Sequence, residues 1–465
     1  MLRKTLKPMV LAGVAAVSFA LAPAARAETL ADALVAAYRN SNLLEQNRAT
    51  LRAADEDVAT AVSNLRPVLR WVAGLDYTKS AYNESVTRAA GREVDRLEAS
   101  LGLTASMVVL DFGRNRLGVD IAKESVLATR EALVAVEQDV LLATVAAYSD
   151  VKSAAQRVSI NQNSVRVIGE ELRAAQDRFE VGEVTRTDVS LAEARLAAAR
   201  AALAAAQGDL MVAREAYKAA TGAYPRNLAT LPPSPKLPRT LDEARATALR
   251  LHPSIKQAQR QVTIADLQVA LAGKQRLPTV TGSIGFQEFE GSGNAATAGL
   301  QASQTIYSGG ALAAAHRKAI AGRDAARAGL SQVGLIITQN VANAWSGIEV
   351  AQAQIRAIDQ QIQAATVAYN GVKEEATLGA RTTLDVLDAE QELLNARADR
   401  IDAAANLQVA YYSVLSSMGL LTVENLKLGI PTYDPAAYYN AVRNAPVTSV
   451  QGESLERVLR SIGKN

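Results

Sequence analysis

Side chains that commonly carry catalysis are scarce in this chain, whose 465 residues include no cysteine and two histidines, His252 and His316. His252 sits in a Leu-His-Pro turn and His316 in an alanine-rich stretch. Neither has a cysteine or acidic cluster at metal-ligand or proton-relay spacing, so both read as packing or surface residues. The best-placed carboxylates are Asp385 and Asp388, within Leu384-Asp385-Val386-Leu387-Asp388. Three residues apart, they share one face of a helix. Two roles suit that spacing: acids favouring a helix N-terminus, or, with several copies around an axis, stacked acidic rings forming a cation-selective constriction. A hydrolase using paired carboxylates is disfavoured, because no concave pocket is implied around them. Nothing in the sequence calls for a metal or cofactor.

The elements that must position these acids begin after an export signal. Arg3, Lys4 and Lys7 precede an apolar run from Met9 to about Leu21, and Ala25-Arg26-Ala27 forms a small-residue cleavage site before Glu28. The run is shorter than the roughly 20 residues of a membrane-spanning helix. Residues 1–27 are therefore set aside from the fold. Removing their four basic residues takes the formal net charge from +3 to −1, so the pI of 8.9 says nothing about nucleic acid. No later stretch is expected to be long and apolar enough to cross a bilayer as a helix. Without cysteine there is no disulfide and no lipid-acceptor residue. Any membrane segment must then be built from strands.

The chain repeats itself. Thr29-Leu30-Ala31-Asp32-Ala33 reappears as Thr240-Leu241-Asp242-Glu243-Ala244, and the same offset of 211 carries Pro67 onto Pro278. Farther on, Gly182, Asp188, Val189 and Gly222 match Gly379, Asp385, Val386 and Gly419 at an offset of 197. Residues 28–222 and 240–419 are read as two copies of one plan. The proline-rich stretch within 223–239 links them, and residues 420–465 follow as a strap, including Thr432-Tyr433-Asp434-Pro435, and a tail.

Within each copy the periodicity changes twice. A helix is expected over 28–66, where Leu44, Leu51, Val58 and Val62 recur at helical spacing until Pro67, and another over 240–277. The period then drops to two. Leu69, Trp71, Ala73, Leu75 and Tyr77 alternate with Arg70, Val72, Gly74, Asp76 and Thr78, which predicts strands over 68–82 and 96–112, then 279–290 and 295–308. These strands are apolar on one face and long enough for a bilayer, with Trp71 and Tyr77 as candidate interfacial aromatics. A soluble sandwich would need more strands to cover that face. Four strands fall short of the about eight of the smallest membrane barrels. Two subunits would supply eight strands and three would supply twelve.

Long helical hairpins are expected over 114–222 and 310–419. The first outgoing helix spans about 67 residues, or roughly 100 Å at 1.5 Å per residue. The return helices carry coiled-coil stripes: Val189, Ala192, Leu196, Ala199, Leu203, Ala206, Leu210, Ala213 and Tyr217 in one, and Val386, Ala389, Leu393, Ala396, Ala403, Leu407 and Ala410 in the other, interrupted at Arg400.

In this order the pieces resemble the outer-membrane efflux protein (TolC) family over residues 28 to about 440. Leu65-Arg66-Pro67 and Leu277-Pro278 precede the strands, Asp111-Phe112-Gly113 and Tyr307-Ser308-Gly309-Gly310 follow them, and Val181-Gly182 to Val189 and Leu378-Gly379 to Asp388 form the tips. The resemblance implies a mainly α chain with a small membrane β-barrel: a homotrimer whose 12-stranded β-barrel continues into a 12-helix periplasmic α-barrel. It implies a passive exit duct, not an enzyme, in the outer membrane and reaching into the periplasm. Its partners would be a periplasmic adaptor and an RND or ABC inner-membrane transporter, for multidrug efflux or type I secretion. It places Asp385 and Asp388 at the entrance constriction. It also implies gate links from Arg381 to Thr187 and Asp188, and adaptor docking at Gly182, Glu183, Gly379 and Ala380. The family's second linking residue, a tyrosine, matches Ala376 here. The rival non-enzymatic reading is the adaptor itself, which also carries a coiled-coil hairpin but lacks membrane-length strands.

Overall fold

A computed structural model describes residues 27–80, 94–290 and 293–444, together with Arg457 and Ser461. The expected leader, apart from Ala27, residues 81–82 of the first expected strand and most of the tail lie outside the described residues, as do residues 291–292 between the third and fourth expected strands.

The chain opens with α1 (Leu30–Asn40) and α2 (Asn42–Ser63), followed by β1 (Val68–Ser80), β2 (Val94–Leu110), α3 (Arg114–Glu180) and α4 (Arg186–Thr221). The same order returns as α5 (Leu241–Leu251), α6 (Pro253–Lys274), β3 (Thr279–Phe289), β4 (Gly293–Ser303), α7 (Ala311–Thr377) and α8 (Thr383–Ser417), and α9 (Pro435–Val442) closes it. The single helices expected over 28–66 and 240–277 are each two. Ser41 ends α1 and caps α2, accepting from Leu44 N–H. At the equivalent position, 211 residues on, His252 ends α5, and its Nδ1 accepts from Ser254 N–H at the start of α6. Pro253 as the first residue of α6 has no N–H to lose and disfavours helical geometry at His252. Two glycines seat these breaks against the hairpin ends. Gly222 and Gly419 have φ of +86° and +78°, and a Cβ on Gly419 would stand 2.7 Å from His252 Cα, so only glycine fits there.

β1 to β4 form one antiparallel sheet in the order β1-β2-β3-β4. Its register sorts the side chains by face. Trp71, Leu103, Phe286 and Ala296 share a row on one face, while Arg70, Thr104, Gly285 and Thr297 share the adjacent row on the other. β4 ends at Ser303, five residues before the expected limit, where the chain leaves the ladder ahead of Gly309 and Gly310 with positive φ. The apolar face is bare within one chain: Trp71 is 66 % and Leu300 75 % exposed.

α3 and α7 each run 67 residues, about 100 Å. Contrary to expectation, α3 and α4 each hold an 18-residue stretch apolar enough to cross a bilayer as a helix. Alanine supplies much of that character in α4, and the alanines of the expected stripe serve the hairpin: Ala192, Ala199, Ala206 and Ala213 are buried in the α3–α4 seam. In α8 the seam buries Val386, Leu393, Ala396 and Ala403, and the interrupting Arg400 turns aside to place Nε 2.6 Å from Asp359 of α7.

The main core lies where the short helices meet the hairpins. Fully buried Tyr148 and Tyr217 pack with ring centroids 6.4 Å apart. Tyr148 OH donates towards Glu28 O and Ala229 O at 3.0 and 2.9 Å, and Tyr217 OH donates to Glu28 Oε1 at 2.7 Å. Glu28, the residue after the expected cleavage site, also bridges in parallel to Leu228 of the linker. The segment after α8 lies across α1, α2 and α3: Val423 N–H donates to Glu137, Tyr433 N–H to Tyr38 OH, and Tyr438 OH to Glu56.

Candidate functional site at the hairpin tips

Both tips are the same local device. Val181 ends α3, Gly182 takes φ of +82°, and the N–H groups of Gly182 and Glu183 return to the carbonyls of Phe179 and Arg178 at 3.0 and 2.8 Å. At the other tip Gly379 has φ of +77°, and Gly379 and Ala380 N–H reach Ala376 O and Glu375 O at 3.1 and 2.9 Å. This paired return satisfies the last helical carbonyls and needs a left-handed residue, which glycine supplies without strain. The four residues expected at the docking tips, Gly182, Glu183, Gly379 and Ala380, are all exposed.

Each return helix then starts with a reciprocal cap. Thr185 Oγ1 accepts from Asp188 N–H while Asp188 Oδ2 accepts from Thr185 N–H at 2.9 Å. Thr382 and Asp385 do the same, with the Thr382 N–H and hydroxyl donating to Asp385 Oδ2 at 3.0 and 2.9 Å. These bonds hold the Asp385 carboxyl below the usual carboxylate range, with Arg381 adding a smaller pull. Asp385 thus performs the helix-starting role weighed for it from the sequence.

Asp388 behaves differently. Its Oδ1 lies 2.6 Å from a guanidinium nitrogen of Arg195 on α4, so it ties the second hairpin to the first. Beside this pair Leu387 packs with Ile168, Ala192, Leu196 and Ala199, and Lys373 approaches Glu171 at 4.0 Å. One turn further along α8, Glu390 is 5 % exposed with Oε2 unpartnered. Burial is the main cause that pushes its carboxyl up to about 7.

Within one chain Arg381 does not meet the expected Thr187 and Asp188. Its Nε is 2.8 Å from Glu375 Oε2, back across the tip of its own hairpin, which raises its pKa. Thr187 is exposed in the first turn of α4, and Asp188 serves the cap. Glu375, Arg195 and Glu390 are the tip residues that the sequence reading missed. An acid six residues before Arg381, across a glycine turn, was a usable signal for Glu375. Arg195 and Glu390 carried none, since their partners lie on other helices. Among the described residues no group of His, Asp and Glu is arranged to hold a metal.

Membrane-length strands with one bare apolar face, joined to helices of about 100 Å with polar tips, define an outer-membrane channel subunit and not an enzyme. The profile of the family "Outer membrane efflux protein" matches residues 33–223 and 245–420, and the chain belongs to that family. It is 33 % identical to the outer membrane efflux protein BepC of Brucella suis biovar 1 over 90 % of this chain and 92 % of BepC. To the outer membrane protein TolC of Escherichia coli K12 it is 26 % identical, covering 85 % and 84 %. To the proteases secretion protein PrtF of Dickeya chrysanthemi it is 24 % identical, covering 86 % and 90 %. The crystal structure of CusC superposes with a TM-score of 0.74 at 20 % identity, over 84 % of this chain and 92 % of CusC. The periplasmic-adaptor reading has no support among these relatives. The protein is an outer-membrane export channel component that extends into the periplasm.

Proposed function

We propose that three copies of this chain close a 12-stranded β-barrel above a 12-helix α-barrel, forming a passive duct through which an inner-membrane pump, reached by a periplasmic adaptor, expels its cargo. The observation that carries the reading is the open sheet. Among the described residues, β1 and β4 each pair along one edge only, and the apolar face is bare. Closing the edges with other copies and the face with lipid satisfies both at once. The matching element order of the two halves, and the two segments matched by the family profile, support an internal duplication of 28–222 and 240–419 about the linker 223–239.

At the far end Asp385 and Asp388 would ring the entrance. Arg381 would hold it closed by reaching Thr187 and Asp188, now from a neighbouring subunit; the caps engage only Oδ2 of Asp188, which leaves Oδ1 for such a link. Gly182, Glu183, Gly379 and Ala380 would meet the adaptor. An RND or ABC transporter would supply the energy, and the choice decides between drug efflux and type I protein secretion.

Native mass spectrometry of the detergent-extracted protein tests the assembly, with three copies expected and one or two copies refuting it. Single cysteines at Glu183 and Ala380, introduced into this cysteine-free chain and crosslinked in cells, test the docking. An adaptor in the adduct supports it, and crosslinks to no adaptor overturn it.

A further inference from the structure

The buried stripe of α8 is interrupted by an acid. Thr383, Val386, Leu387, Leu393 and Leu394 recur at steps of three and four and are buried, and Glu390 takes the place in that series where an apolar side chain belongs. Just beside it Leu387 packs into the cluster of Ile168, Ala192, Leu196 and Ala199, so this face of α8 is the seam between the two hairpins. Glu390 sits in that seam with Oε2 unpartnered.

The charges around Glu390 come from the three helices that pack on α8. From α3 come Glu171 and Arg166, and from α7 comes Lys373. On α4 the cation Arg195 is taken by Asp388 at 2.6 Å. Arg166 is engaged on its own helix, by Glu170 at 2.9 Å and Asn163 at 2.7 Å. Lys373 Nζ stands 4.0 Å from Glu171 Oε1, and this contact bridges the second hairpin to the first. One amine therefore serves two acids, Glu171 across the seam and Glu390 within its own hairpin.

While Glu390 is protonated, Lys373 has only Glu171 to answer. Loss of that proton places an unpaired charge in a buried seam, which is costly until a cation meets it. Lys373 can do so, being half exposed and carried on a flexible stem. Turning to Glu390 takes it away from Glu171, and the two carboxylates then face each other across the seam and repel.

We propose that Lys373 exchanges partners with the protonation of Glu390, from Glu171 of the first hairpin to Glu390 of its own, so that the seam at the tips holds in acid and parts in alkali. In the proposed duct, parting the hairpins widens the entrance and raises conductance on the alkaline side. That consequence rests on the duct reading, whereas the exchange itself needs only the one chain.

The test measures the distance between nitroxides on cysteines introduced at Glu183 and Ala380, one at each exposed tip of the same chain. The full-length protein is extracted in detergent with labelled copies diluted among unlabelled ones. Wild type is expected to lengthen this distance between about pH 5.5 and about pH 8.5, a range over which the ionised share of a carboxyl titrating at about 7 rises about thirtyfold. Glu390→Gln should hold the short distance at both pH values. Glu171→Gln leaves Lys373 to Glu390 and should hold the long one. Side chains that merely support the fold would shift both variants the same way, so shifts in one direction, or a wild-type distance that ignores pH, overturn the exchange. Bilayer conductance of the same samples separates the two readings: a pH-dependent distance at constant conductance supports the exchange and counts against the duct, and a constant distance overturns the exchange whatever the conductance.

Discussion

Asp388 Oδ1 and an Arg195 guanidinium nitrogen are 2.6 Å apart, and this contact joins α8 of the second hairpin to α4 of the first. Side chains of both residues are about half exposed, so the pair is worth no more than about 1 kcal/mol. Its larger effect is electrostatic: Arg195 cancels a carboxylate that the entrance reading needs as a negative ring.

Replacing Arg195 by Ala should therefore raise the preference of the channel for cations, while Asp385→Asn with Asp388→Asn should lower it. The reversal potential across a planar bilayer under a salt gradient measures both. Shifts of the same sign in the two variants would refute an acidic entrance.

Arg381→Ser should raise single-channel conductance by loosening the tip. Because Arg381 is bound to Glu375 in the chain, Glu375→Gln should reproduce part of the increase. If only the arginine variant opens the channel, the link between subunits is what matters; unchanged conductance in both removes the gate.

Thr382→Ala deletes the hydroxyl that accepts from Asp385 N–H. Loss of such a cap costs about 1 kcal/mol, which should speed amide hydrogen exchange in the first turn of α8 about fivefold. The effect should stop within two turns. Exchange unchanged at residues 384–387 would contradict the capping role.

Glu390 sets a pH dependence. Its carboxyl is raised from 4.5 to about 7, chiefly by burial and further by Glu171, with Lys373 and Arg166 opposing. The folded tip keeps this proton over a range where the unfolded chain has lost it, so stability falls as pH rises from about 4.5 to about 7. Glu390→Gln should remove that slope, protecting the tip helices more than wild type at pH 8 and equally at pH 4. Hydrogen exchange across residues 387–394 at the two pH values checks this, and a difference independent of pH would refute it.

Tyr148→Phe removes the hydroxyl from Ala229 O and Glu28 O, leaving Glu28 O with the Ala229 N–H as its donor, and should destabilise the fold by about 1–3 kcal/mol. A fall in the denaturation midpoint at unchanged slope is the expected readout.

Much of this architecture was legible in the sequence because it rests on periodicity. Trp71 lies on the expected face, in a row with Leu103 and Phe286, since parity along a strand settles the face without knowledge of the partner. The stripe from Ala192 to Tyr217 was legible for the same reason, and Gly182 and Gly379 located the turns because few other residues tolerate their φ. The break at Ser41 was missed: a serine among helix formers signals a cap only when the chain bends there. The end of β4 at Ser303 was overrun, since Thr305 and Ile306 continue the alternation after the ladder has stopped. Arg195–Asp388 and the burial of Glu390 depend on how one hairpin lies against the other, which no local pattern encodes.

α3 and α7 are the same length to the residue. That equality constrains how the protein can change over generations. An insertion of seven residues lengthens one helix by about 10 Å and needs a matching insertion in its return helix. Made in one half alone, it would push three tips of the proposed trimer beyond the other three and tear the Arg195–Asp388 contact out of register. The reach of the helices into the periplasm can therefore be retuned only by paired edits in both halves, so changes of length should be inherited in matched sets, whereas single-residue changes at the tips escape that constraint.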